Sequence, residues 1–269
     1  FQMCRSLSEI DIPAGLTKLG GDAFLDCDSL TEFVWPEAIT FVGTALRSSG
    51  IRELVLPETV THIGMYAFDG CTSLEKITIP DSVTSFDEYS FRSTTSLSEI
   101  HIPQGITVIP FSCFNNSGLQ EVILPEGVTT IGDYAFQNCT ALAQIDLPNS
   151  LTALHYNAFA NCTGLTAVEL PLALTGIAAG AFENCTNLEE VLLPIGWTTL
   201  LGTNNGTNWS DGNDVYTSPF IGCIKLTTLT VPEEITALPK HAFRKQTSLT
   251  SVTLPETMTS IGAYAFDGC

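Results

Sequence analysis

Positive charge is scarce in this 269-residue chain, where 10 Lys and Arg face 29 Asp and Glu for a net charge of −19. Without clustered cations, nucleic acid is a poor partner, because its phosphates are neutralised by Lys and Arg. Anionic membrane surfaces are disfavoured for the same reason. No run of about 18 apolar residues could cross a bilayer, so direct membrane insertion of this segment is not expected. The opening FQMCRSL lacks the basic-then-apolar pattern of a secretory leader. Signatures of catalysis are missing too, with no G-x-G-x-x-G, no P-loop and no G-x-S-x-G. His62, His101, His155 and His241 fall at different repeat positions, without the spacing of a zinc site. The expectation is a protein that is not an enzyme and has neither cofactor nor metal. Apolar residues, by contrast, make up 44% of the chain, ample for a core and against disorder.

The dominant feature is an internal repeat. Prolines 13, 36, 57, 80, 103, 125, 148, 171, 194, 232 and 255 each close a phrase of the type I-x-L-P, in steps of 23, 21, 23, 23, 22, 23, 23, 23, 38 and 23 residues. Eleven residues beyond most of them stands a phenylalanine, at 24, 68, 91, 114, 136, 159, 182, 243 and 266. Leu46 replaces it in the shortened third unit, and Phe220 serves after the long step. Three residues past that position lie Cys4, Cys27, Cys71, Cys139, Cys162, Cys185, Cys223 and Cys269. Cys113 stands off this column, and Ser49, Thr94, Ser117 and Gln246 replace Cys elsewhere. Such replacements suit small buried thiols better than disulfides or metal ligands.

In a unit such as LAQIDLPNSLTALHYNAFANCTG, the end of L-x-x-I-x-L alternates apolar with polar, the mark of a strand with one buried face. Proline then stops the ladder. A second short extended piece follows, then a tight turn around Ala-Phe that reads as one helical turn. Gly70, Asn138, Asn161, Asn184, Gly222 and Gly268 precede Cys, where they suit a left-handed backbone. One unit cannot bury its own apolar side chains. Stacked about 4.8 Å apart, eleven such strands span roughly 50 Å.

The phrase LPEGVTTIGDYAFQNCTALAQIDLP resembles the BspA-like class of leucine-rich repeats. Its core I-G-x-x-A-F-x-x-C recurs at Ile63–Cys71, Ile131–Cys139 and Ile261–Cys269. The resemblance covers essentially the whole chain and implies a right-handed horseshoe solenoid, α/β in class but dominated by β. A parallel sheet would line its concave face, with short second strands and turns on the other side. Such modules occur in secreted or surface-attached proteins that bind hosts, neighbours or matrix. The expected layout is one solenoid of about eleven repeats over residues 1–269, with a loop inserted at 201–216. Phe1 and Cys4 fall in their repeat columns and no polar cap is evident, so the chain reads as part of a longer protein.

Two columns should face outward from the first strands. One contains Glu9, Glu32, Glu53, Glu99, Glu121 and Glu190; the other, two residues on, contains Val34, Val55, His101, Ile123 and Leu192. They form either a solvated acidic face or a binding surface for a basic partner or divalent cations. In the insertion, Trp209 could serve as a contact residue. Asp211, Asn213 and Asp214 could offer oxygens to calcium but lack EF-hand spacing, and a surface insertion with no task is the plainer reading. Six N-x-S/T sequons occur. Asn205 and Asn208 have no repeat duty and are the better glycosylation candidates, ahead of Asn115, Asn138, Asn161 and Asn184. The leading expectation is an extracellular or cell-surface recognition or adhesion module for a protein or other macromolecule. The alternative is a structural block of a filament, sheath or surface layer that packs on copies of itself.

Overall fold

The structure, a computed structural model, describes residues 1–197, 199–201 and 218–269. It is a parallel-strand solenoid of about nine turns with almost no helix. The I-x-L phrases form the first ladder. Among the described residues it includes eight three-residue strands, from Glu53–Val55 and Lys76–Thr78 to Thr228–Thr230 and Ser251–Thr253. Register follows the repeat, so Glu53 pairs with Lys76, Leu54 with Ile77, and Val55 with Thr78. Proline ends each phrase because it has no N–H to continue the pairing.

The second extended pieces form a ladder of their own. Its longest stretch runs through Val108–Ile109, Thr130–Ile131, Ala153–Leu154, Gly176–Ala178 and Thr199–Leu201. The first ladder is hydrogen-bonded as separate pairs, so the second is the more continuous of the two. Residues 9–11, 32–34 and 99–101, at the same repeat position, join no strand. The latter two precede the shortened steps of 21 and 22 residues.

The Ala-Phe segment is not the helical turn that its sequence suggests. Each such segment is a chain of tight turns, and the described residues include one short 3-10 helix, Thr44–Leu46 in the shortened unit. The amide of Ala67 donates to the carbonyl of Gly64 and that of Cys71 to Phe68, with Tyr66 and Gly70 at φ 59° and 73°. A positive φ at the third residue of such a turn is the type II geometry. Gly and Asn before Cys are left-handed as expected, at positions 70, 138, 161, 184, 222 and 268. The second left-handed column, two residues before Phe, is filled by Tyr66, Tyr89, Tyr134, His241 and Tyr264, among others.

These turns stack through a third set of backbone hydrogen bonds. The amide of Phe136 donates to Ala158, that of Phe159 to Ala181, and that of Phe243 to Ala265, each at 2.7 Å. Inside, the Phe rings stack face to face, with centroids 5.1 Å apart at Phe136–Phe159 and 5.3 Å at Phe159–Phe182. Burial of a Phe side chain stabilises by roughly 1.5–3 kcal/mol, and a ring pair adds roughly 0.5–1.5 kcal/mol. The cysteines are free, and those of the column between Cys27 and Cys223 are buried. Their thiols donate to a phenylalanine carbonyl of an earlier unit, as Cys139 to Phe114, Cys162 to Phe136 and Cys185 to Phe159, each at 3.1 Å. The column therefore has a structural task in which Cys acts as a small apolar group with one donor. Burial pushes the Cys71 thiol up to about 11 and raises those of Cys113 and Cys162 as well.

Candidate interaction face

Strand alternation sets the geometry of the candidate face. In Glu53–Val55, Lys76–Thr78, Glu121–Ile123, Gln144–Asp146, Ala167–Glu169 and Thr228–Thr230 the central residue is buried while its two neighbours are exposed. Glu9, Glu32, Glu53, Glu99, Glu121 and Glu190 are all exposed, as is His101. The apolar members of the second column are strongly exposed, with Val34 at 82%, Val55 at 67%, Ile123 at 62% and Leu192 at 52%. Carboxylates and aliphatic groups thus share one side of the first ladder. Two cations or imidazoles interrupt the acid. Lys76 stands beside Glu53 in register, and the His101 ring lies 3.4 Å from the Asp81 carboxylate. A face of this kind attracts cationic groups electrostatically and offers apolar area between them.

The turn side carries charge pairs that were not singled out from sequence. Asp69, its side chain 5% exposed, accepts from Arg47 Nε at 3.0 Å and from Arg92 Nε at 2.7 Å. The two guanidinium groups lie over the stacked rings of Tyr66 and Tyr89. All three charges sit one residue after the Phe position. Asn115–Gln137 and Arg244–Asp267 bond in that same column at 2.9 Å. Aligning this column would have revealed the alternation of donors and acceptors.

On the second ladder, His62 Nδ1 shares a hydrogen bond with Ser85 Oγ, and its Nε2 lies 2.9 Å from Asp87 Oδ2. Serine, imidazole and carboxylate are therefore in series. The neighbouring Gly64 and Asp87 amides donate to the Val42 and Ile63 carbonyls, so neither is free to hold an oxyanion. Ser85 pairs with His62 in the regular ladder, where side chains one unit apart come together. No group of three or more His, Cys, Asp or Glu that could hold a metal ion occurs among the described residues.

The sequon asparagines of the turn column form a ladder of their own. Asn161 Nδ2 donates to Asn138 Oδ1 at 2.9 Å, and Asn184 Nδ2 to Asn161 Oδ1 at 3.2 Å. Asn115 Nδ2 donates to Gln137. Each of Asn115, Asn161 and Asn184 thus already uses one of its two Nδ2 hydrogens, the atom a glycan would join. Asn205, Asn208, Trp209, Asp211, Asn213 and Asp214 lie outside the described residues.

A solenoid of short parallel strands with stacked Phe turns defines a leucine-rich-repeat class of fold. The chain belongs to the BspA-type leucine-rich repeat family, whose model matches residues 1–118, 44–165, 107–204 and 212–269. A leucine-rich repeat protein from Bacteroides ovatus is 24% identical, with a TM-score of 0.55 over 82% of this chain and 77% of that one. The pneumococcal vaccine antigen PcpA is 21% identical, with a TM-score of 0.51 over 81% of this chain and 58% of that one. A leucine rich cell surface protein from Faecalibacterium prausnitzii is 24% identical, with a TM-score of 0.48 over 94% and 67% of the two chains. No curated protein matches the chain. Members of this repeat family are generally interaction or surface proteins, and its fold is typically a non-enzymatic scaffold.

Proposed function

We propose that the chain is a non-enzymatic recognition or adhesion module, at a cell surface or outside the cell, that holds a macromolecule on the exposed face of its first ladder. The observation that carries this reading is the pair of outward columns, acidic and aliphatic, repeated along the strands. Exposed Val34, Val55, Ile123 and Leu192 do not contribute to the core, and a partner would cover them. The partner is a protein or other macromolecule with a basic, partly apolar surface. The consumed amides around His62, Ser85 and Asp87 support the non-enzymatic part, and family membership supports the surface location. Footprinting of the full chain with a binder selected from an array of purified extracellular proteins tests the reading. Protection at Val55, Ile123 and Leu192 is expected; protection confined to the turn side would contradict it.

The repetition of one face along the solenoid also favours a second reading, in which copies pack laterally into a filament or layer. Electron microscopy of concentrated protein separates the two, since ordered assemblies are expected from the second alone.

A further inference from the structure

We draw no further inference here: the strongest candidate, the strip of half-buried rings of Tyr66, Tyr89, Phe111, Tyr134 and Tyr156 along the turn side of the solenoid, carries nothing because the rings pack on one another and nothing in the structure shows what covers them.

Discussion

Two departures from the 23-residue rhythm disturb different parts of the stack. Across the long step between Pro194 and Pro232 the Phe and Cys columns continue, while the described strands on either side of it do not pair with one another in either ladder. Phe182 stacks on Phe220 at 5.6 Å and 8°, and the Cys223 thiol reaches the Phe182 carbonyl at 3.1 Å. Across the short step between Pro36 and Pro57, Leu46 and Ser49 replace Phe and Cys and residues 32–34 join no strand, while the second ladder continues as Phe41 pairs with His62. Added residues can leave the stack at a loop-closure cost of only about 0.6 kcal/mol per doubling of length. The Arg47–Asp69–Arg92 cluster, set on Tyr66 and Tyr89, braces the seam where the Phe stack is broken.

The largest effect should come from breaking the regular interior. Phe159→Ala removes a fully buried ring stacked on both sides and should cost about 3–5 kcal/mol in urea unfolding. At the braced seam, Asp69→Ala should cost about 2 kcal/mol, a figure already reduced because both guanidinium groups are about a third exposed to solvent. Comparable losses for the two variants would contradict a brace that only supplements the stack.

A smaller effect concerns pH at the same seam, where the Cys71 thiol donates to the Leu46 carbonyl at 3.1 Å. Its folded value is raised by burial from 9.0 to about 11. Between these values the unfolded chain releases a proton that the folded chain retains, so stability is full below pH 9 and falls as pH rises. From pH 9 to 10 this one thiol should cost about 1 kcal/mol. Urea midpoints across that range for wild type and Cys71→Ala check it, and the variant should lose less. The smallest effect should follow deletion of residues 202–216, which restores the 23-residue step, with the unfolding free energy changed by about 0.5 kcal/mol or less. A loss near that of Asp69→Ala would give the insertion a structural role.

Much of this was legible because each repeat position recurs in a fixed environment. Period, Phe stack, Cys column and the left-handed Gly and Asn before Cys all follow from residues that mean the same thing each time. The outward orientation of Glu53, Val55, Glu121 and Ile123 followed from alternation alone. Other features depend on what one unit places against the next. Tyr66, Tyr89 and Tyr134 carry no mark of a positive φ, since stacking and the turn hydrogen bonds impose it. The helical reading of the turn failed for that reason. His62, Ser85 and Asp87 meet through ladder register, which a search for fixed catalytic spacings does not follow. That residues 32–34 form no strand beside Glu53–Val55 appears only in three dimensions.

The central claim is that the acidic and aliphatic columns of the first ladder form the recognition surface, separately from the stacked interior that holds them in place. Its most direct measurement is the affinity of the full chain for its array-selected binder, before and after Glu32→Lys/Glu53→Lys/Glu99→Lys/Glu121→Lys. A loss of at least a hundredfold in affinity, with the urea midpoint nearly unchanged, is predicted. Unaltered affinity in the folded quadruple variant would contradict it.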